Sequence, residues 1–170
     1  DASVVVAAIS GNFTQRGEPT ILDKWTRAEI AVKSGVNLVV EIPVVYCCNS
    51  AEYFAKGGVE ILEAMGILDY ISFGAETGNI NQLIKISEFI KNGGQTLKIK
   101  IDEHLKNGNS YPRARQQAIE ELIESQGLKK SIDLKIIESS NNILAIEYLK
   151  QIETLEPIVV QRFGADHLDI

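Results

Sequence analysis

The sequence predicts an α/β fold in which helices cover both faces of a mostly parallel sheet. Short apolar runs of strand length alternate with longer segments whose apolar residues recur at helical spacing, the pattern of such folds. Each apolar run ends in a polar or glycine-bearing loop, and ligands bind beside such loops in open parallel sheets. The chain has 170 residues, of which 45% are hydrophobic, so we expect residues 1–170 to form a single domain.

The first half of the chain predicts three strands and two helices. The first helix opens near Asp23 and ends at Gly35. It carries Trp25 among its regularly spaced apolar residues, so we expect this indole to lie in the core. The second helix opens at Ser50, a residue type that caps helices through its hydroxyl oxygen. The three strands are expected at 3–9, 36–42 and 70–73.

The second half of the chain is richer in helices. Three helical segments follow the third strand, separated by the glycine pair 93–94 and by the turn-rich segment 107–112. A further helix opens at 141–142, and a last strand covers 157–161. Residues 126–137 are polar with scattered apolar positions, and their pattern predicts no element. The sequence therefore predicts a sheet with additional helices after its third strand.

Composition narrows the class of protein. A formal charge of −6 and a pI near 5.0 argue against a dedicated nucleic-acid module, but they do not exclude a local basic cleft. The two cysteines, Cys47 and Cys48, are adjacent, and no Cys/His cluster surrounds them. We therefore expect no disulfide and no metal ligands, but buried thiols in a reducing compartment. No apolar run reaches the length of a membrane span, so we expect a cytoplasmic protein without a membrane partner.

The loop 10–19 is the leading candidate for ligand binding, because it joins a buried strand to a helix. Arg16 offers a planar, permanently charged fork to a phosphate or carboxylate. Together with Lys24, Arg27 and Arg162, it could face a single crevice, a set suited to phosphoryl or nucleotidyl transfer. Arg16 and Lys24 are the catalytic candidates. An ordinary strand–helix connection with a surface arginine explains the loop equally well on periodicity alone.

Other polar residues carry weaker signals. Glu52 and Glu76 are the carboxylates nearest the predicted sheet edge, and each fits a loop or helix organiser better than a general base. The Asn pair 141–142 fits a helix cap better than a ligand contact. His104 is expected on a helix surface, whereas His167 follows the last strand and has the better position for a site. The sequence contains no Walker loop, dinucleotide fingerprint or nucleophile elbow.

The amino-acid sequences of the loops closely resemble those of one family. A series of motifs resembles, in the same order and over almost the whole chain, the motifs of the tRNA(Met) cytidine acetate ligase family. The first of them is Ser10-Gly-Asn-Phe-Thr-Gln-Arg-Gly-Glu-Pro19. The later motifs are Asp23-Lys-Trp-Thr-Arg27, Gly35-Val-Asn-Leu-Val-Val-Glu-Ile-Pro43, Ser50-Ala-Glu-Tyr-Phe-Ala-Lys-Gly57, Phe73-Gly-Ala-Glu76, Ser110-Tyr-Pro112, Ser140-Asn-Asn-Ile-Leu144, and Arg162 with Gly164-Ala-Asp-His167.

This resemblance implies the HIGH-type nucleotidyltransferase version of the Rossmann-like fold. It also implies ATP, with Mg²⁺, and acetate as substrates that give acetyl-adenylate and pyrophosphate. The acetyl group then passes to N4 of the wobble cytidine in elongator tRNA(Met), without coenzyme A. By correspondence with the family's motifs, Gly74, Asn141, Arg162 and Phe163 match its ATP contacts.

The chain also departs from the family pattern. Family members carry a Tyr-Asn-Pro-Phe-His-x-Gly-His loop whose histidines contact the ATP phosphates, and this chain has no such motif. We therefore expect these residues to be the interior of a longer protein, truncated at both ends and inactive alone. The alternatives are another nucleotidyltransferase-like enzyme that adenylates a different small substrate, and a noncatalytic nucleotide- or RNA-binding remnant. Self-association also stays open.

Overall fold

The computed structural model describes residues 2–128 and 132–163, so His167 lies outside the described residues. Strands and helices alternate over the first half and helices dominate the second, as predicted. The elements are β1 (Val6–Ser10), α1 (Lys24–Lys33), β2 (Leu38–Ile42), α2 (Val44–Cys47), α3 (Ala51–Ala64), β3 (Tyr70–Ala75), α4 (Ile80–Lys106), α5 (Tyr111–Ser125), a 3-10 turn (Leu134–Ile137), α6 (Ser140–Gln151) and β4 (Glu156–Gln161).

The chain divides into two compact units. The first comprises Asp1–Tyr70 with Gln151–Glu156, and the second comprises Ile71–Lys150 with the chain from Pro157 onward. Each unit is described by itself, and the single domain expected from the sequence stays a prediction. Among the described residues, no helix combines the length and the apolar character that crossing a membrane requires.

The first unit is built on a parallel strand pair. β1 pairs with β2 in register from Val6 opposite Leu38 to Ser10 opposite Ile42. Helix α3 buries its small residues, including Ala55 and Val59, which have no exposed surface. Parallel strands end at the same edge, so the loops after Ser10 and Ile42 emerge side by side.

Helix α1 differs from its prediction. Asp23 caps it by accepting hydrogen bonds from the backbone N–H groups of Trp25 and Thr26, at 2.9 and 3.1 Å. The indole of Trp25 is 76% exposed, so the expected core position is wrong. The partly buried face of α1 instead includes Lys24 and Arg27, whose alkyl stems turn inward while their charged ends reach polar partners. Trp25 lies about 100° around the helix from Lys24 and therefore faces solvent.

The second unit pairs β3 with β4. In this pair the backbone N–H of Arg162 donates to the carbonyl of Ala75 at 2.8 Å. Strand β3 alternates strictly, with Ile71, Phe73 and Ala75 buried, as a strand with one covered face requires. Helix α4 bends at Gly94, which has φ 38° and ψ −118°, so the break predicted at the glycine pair is confirmed as a kink.

Candidate functional site

The loop after β1 is held from inside by Arg27. Its guanidinium donates hydrogen bonds to the carbonyl oxygens of Ser10 and Gly11, at 2.8 and 2.7 Å, and to the hydroxyl of Ser10 at 3.2 Å. The backbone N–H of Lys24 donates to the side-chain oxygen of Asn12 at 3.0 Å. Helix α1 therefore fixes the start of the loop at two points, and Arg27 acts as its anchor rather than as a free cation.

Two catalytic candidates lie beside this loop in different environments. The ammonium of Lys24 forms an ion pair with Glu41 at 2.6 Å and lies 5.3 Å from the ring centroid of Trp25. Arg16 is exposed, and it makes no hydrogen bond or ion pair within residues 2–128 and 132–163. Of the two, Arg16 is thus the cation available to an anionic ligand. Its convergence with Arg162 stays a prediction.

The cysteine pair supports the far side of the same loop. Cys47 is buried, and its thiol lies 3.2 Å from the carbonyl oxygen of Phe13. Burial raises the pKa of the Cys47 thiol, with a further increase from the neighbouring Cys48. Cys48 is exposed, so the expectation that both thiols are buried is wrong for this residue. The reason is that Cys48 follows the last residue of α2 and leaves the helical conformation, so it does not share the buried face of Cys47.

In the second unit, Glu76 joins the end of β3 to the start of α6. One carboxylate oxygen accepts hydrogen bonds from the backbone and side-chain nitrogens of Asn141, at 3.1 and 2.7 Å. The other accepts from the backbone N–H of Asn142 at 2.6 Å. In return, the side-chain oxygen of Asn142 accepts from the backbone N–H of Thr77 at 3.0 Å. We call this reciprocal set of Glu76, Thr77, Asn141 and Asn142 the Glu76 clasp.

The clasp sets the charge of Glu76. Burial raises the pKa of this carboxyl, but the side chain and backbone of Asn141, with the N–H of Asn142, together bring it below its ordinary value of 4.5. The positive end of helix α6 also favours a carboxylate at this position. Glu76 is therefore an ionised acceptor at neutral pH, which agrees with the prediction of an organiser rather than a general base.

The other residues predicted to contact ATP lie at the ends of β3 and β4. A Cβ at Gly74 would lie 3.3 Å from Cγ and 3.4 Å from Cδ of Arg162, so glycine allows the arginine stem to cross β3 closely. The guanidinium of Arg162 has no partner among the residues that the structure describes. Phe163 is 90% exposed beside it. Gly74 and Arg162 are thus in direct contact, and Glu76 connects this strand end to Asn141.

A cavity of about 440 Å³ adjoins the clasp. Its lining is mainly polar and includes Glu76, Asn142 and Gln161. The side chain of Gln161 also donates to the carbonyl of Glu76 at 3.4 Å. Within the described residues, the buried side-chain oxygen of Gln82, another lining residue, has no hydrogen-bond partner. Sequence reasoning missed Gln82 and Gln161, because isolated glutamines carry no motif.

The remaining candidates have structural positions. Glu52 lies in the first turn of α3, where a carboxylate suits the positive end of the helix. His104 is not a free surface group, because its Nε2 lies 3.0 Å from a carboxylate oxygen of Glu121 on α5.

An α/β fold with polar groups at its strand ends is typical of proteins that bind nucleotides. The family model described as HIGH Nucleotidyl Transferase matches residues 1–170, and the chain belongs to that family. The chain is also similar to proteins called tRNA(Met) cytidine acetate ligase, which confirms the resemblance found in its motifs. That of Clostridium perfringens (strain SM101 / Type A) is 41% identical over 97% of this chain and 42% of its own length. That of Clostridium novyi (strain NT) is 43% identical over 97% of this chain and 41% of its own length.

Solved structures confirm the fold. The crystal structure of Thermotoga maritima TmcAL (apo, form I) has a TM-score of 0.86 and 34% identity, covering 98% of this chain and 40% of that one. Form II of the same protein, bound with alpha-thio ATP, has a TM-score of 0.83 and 33% identity, covering 95% and 40%. The chain thus spans about two fifths of the length of these relatives.

Proposed function

We propose that this chain is part of an ATP-dependent ligase that acetylates N4 of the wobble cytidine in elongator tRNA(Met). The observation that carries the proposal is the joining of Gly74, Arg162 and Asn141 through the ends of β3 and β4 and the Glu76 clasp. These residues are the ones that the family resemblance matches to ATP contacts. The Thermotoga maritima TmcAL that shares this fold has been solved with alpha-thio ATP.

The two strand ends offer the groups that a nucleotide needs. The unpaired guanidinium of Arg162 suits the phosphates, since a planar fork binds phosphate oxygens with two hydrogen bonds. The exposed ring of Phe163 offers an apolar surface to the nucleoside. Mg²⁺ would accompany the triphosphate, whose oxygens are the ligands that this ion prefers.

The proposed reaction has two steps. In the first, an acetate oxygen attacks the α-phosphorus of ATP, and the bond to the departing pyrophosphate breaks to leave acetyl-adenylate. In the second, the N4 amine of cytidine attacks the acetyl carbon, so that AMP leaves and the amine loses a proton. Both reactants of the first step are anions, and cations such as Arg162 would reduce their repulsion. Arg16 in the first unit stays our catalytic candidate for the same reason.

The test is transfer of labelled acetate into elongator tRNA(Met), with ATP present and coenzyme A absent. The natural-length protein and this 170-residue chain are assayed side by side. We expect label in the tRNA from the natural-length protein and none from the chain alone. Adenylation of another carboxylate without labelled tRNA would favour a different nucleotidyltransferase. Absence of any turnover, with both forms folded and binding nucleotide or RNA, would favour the noncatalytic alternative.

A further inference from the structure

We propose that Glu76 is a positioning residue that fixes the side-chain amide of Asn141, so that its oxygen accepts a hydrogen bond from the nucleoside part of ATP. The inference rests on the proposed function, which places ATP at Asn141. It adds a direction to that contact. The side-chain oxygen of Asn141 accepts the hydrogen bond, and the donor lies on the base or the ribose rather than on the phosphates.

The direction of the hydrogen bond follows from the chemistry of the Glu76 clasp. An ionised carboxylate only accepts hydrogen bonds, so the atom of Asn141 that lies 2.7 Å from Glu76 must be the amide nitrogen. The opposite orientation would bring two oxygens together without a proton between them. The same carboxylate oxygen also accepts from the backbone N–H of Asn141 at 3.1 Å. The side chain is thereby held against its own backbone, and the amide is held in one orientation.

The Asn141 amide has one N–H on Glu76, which leaves its second N–H and its oxygen, and the oxygen is the acceptor that this arrangement offers to a ligand. It accepts no hydrogen bond from any residue in the described ranges 2–128 and 132–163. Asn141 is half-buried, and its oxygen is not among the fully buried side-chain atoms that lack a partner in the described residues, so solvent reaches it. A ligand donor that meets this oxygen finds it already oriented, without a loss of side-chain rotamer freedom.

ATP has donors of this kind only on its nucleoside. The ionised phosphates carry acceptor oxygens, whereas the 6-amine of adenine and the 2′ and 3′ hydroxyls of ribose can donate. Asn141 therefore belongs to recognition of the nucleoside and Arg162 to recognition of the phosphates. If the donor is the 6-amine, a nucleotide with an oxygen at position 6 would place two acceptors face to face.

The experiment measures equilibrium binding of ATP, ITP, 2′-deoxy-ATP and 3′-deoxy-ATP to the natural-length protein by calorimetry. We expect one analogue to bind about tenfold more weakly than ATP, the effect of losing one neutral hydrogen bond. Weak ITP binding identifies the base amine as the donor. Weak binding of a deoxy analogue identifies the matching hydroxyl. In Asn141→Ala, ATP and that analogue should bind equally.

Glu76→Gln tests the positioning role. Glutamine keeps one acceptor oxygen, and when that oxygen accepts from the backbone N–H of Asn142, its nitrogen faces Asn141. The Asn141 amide is then released and can turn over to present its own nitrogen. We expect the discrimination between ATP and the weak analogue to fall by about tenfold. Glu63→Gln is the matched control, since Glu63 also accepts from backbone N–H groups, those of Glu153 and Thr154 at 2.7 and 2.9 Å, within the first unit. It should lower stability without changing the discrimination.

The outcomes distinguish a failure of this inference from a failure of the proposed function. If the wild-type protein binds no ATP, the proposed function fails and the inference falls with it. If ATP binds but no analogue is weaker, or if Glu76→Gln lowers the melting temperature and leaves the discrimination unchanged, the function stands and Glu76 is only a structural cap. Should Glu76→Gln fail to fold, Asn141→Ala still decides whether Asn141 contacts the nucleoside, because it keeps the bond between Glu76 and the Asn142 backbone.

Discussion

The two units hold their loops at the strand ends with opposite charges. In the first unit the cation Arg27 donates to the carbonyl oxygens of Ser10 and Gly11, the last groups of a strand and the first of a loop. In the second unit the anion Glu76 accepts from the N–H groups of Asn141 and Asn142, the first groups of a helix. Each charge satisfies the backbone groups that its own chain segment leaves unpaired.

The difference determines which groups remain for a ligand. In the first unit Arg27 pairs with the backbone and Lys24 pairs with Glu41, which leaves Arg16 as the exposed cation of the loop. In the second unit the anion is bound to the helix, while the guanidinium of Arg162 and the amide oxygen of Asn141 have no partner among the residues that the structure describes. In both units, therefore, the charged residue nearest the backbone organises the site, and a neighbour is left to meet the ligand.

The largest expected effect belongs to Arg162, the cation of the second unit that we propose to bind ATP. Arg162→Ala should weaken ATP binding by roughly 2–4 kcal/mol, because it removes a charged hydrogen-bond donor from the phosphates. Calorimetric titration of the natural-length protein with ATP measures the loss. Arg162→Lys is the control that keeps the charge without the planar fork, and it should recover part of the affinity. Unchanged binding in a folded Arg162→Ala protein would remove this residue from the site.

A smaller loss, this time of stability, is expected for the organising cation of the first unit. Arg27→Ala removes the donors to Ser10 and Gly11 and should lower the free energy of unfolding by about 1–3 kcal/mol. Urea titration of variant and wild type measures it. Arg16→Ala is the matched control, because it deletes an exposed arginine of the same loop and should change stability by less than about 0.5 kcal/mol. Equal effects of the two substitutions would show that Arg27 is not the anchor.

Sequence patterns predict this fold well because its strands are short, apolar and followed by polar loops. The four strands within the described ranges occur where the apolar runs are, and β3 extends two residues beyond its predicted end to include Gly74 and Ala75. Helix α1 shows where pattern reading fails. The pattern places Trp25 in the core, yet the stems of Lys24 and Arg27 lie inward instead, because their charged ends have partners there.

The candidate site is only partly readable from the sequence. Gly74, Asn141 and Arg162 come from the family motifs, since nothing in their local spacing distinguishes them. The Glu76 clasp joins residues 65 and 66 positions apart, so no local pattern contains it. A carboxylate just after a strand, together with an Asn pair at a helix start, is the signal that the sequence does hold, and it predicts an organiser. The partner of that organiser is set by tertiary structure.

Acid should weaken the contribution of Glu76 to stability but not that of Arg27, because only the carboxyl group titrates in the acid range. The pKa of Glu76 is lower in the folded protein than its ordinary value of 4.5, so its stabilising contribution is complete above that pH. The contribution is lost as the pH falls through the lower, folded value. Arg27 keeps its charge throughout.

The measurement is urea unfolding of wild type and Glu76→Gln between pH 7 and pH 3. The wild type should be more stable at neutral pH, and the difference in the free energy of unfolding should shrink below about pH 4.5. Glu63 is present in both proteins, so its own titration cancels from the difference. A difference that stays constant over the whole range would show that ionisation of Glu76 does not stabilise the clasp.

The smallest effect is expected at Trp25, although tryptophan is usually the costliest residue to delete. Because its ring is 76% exposed and its contact with the Lys24 ammonium is at 5.3 Å, Trp25→Ala should cost only about 0.5–1 kcal/mol. A buried tryptophan would cost about 3–5 kcal/mol. Thermal melting of Trp25→Ala beside Arg27→Ala compares the outward and inward faces of the same helix. If Trp25→Ala proved the more damaging of the two, Trp25 would lie on the inward face of α1, as the sequence pattern predicts, and its exposed position would be contradicted.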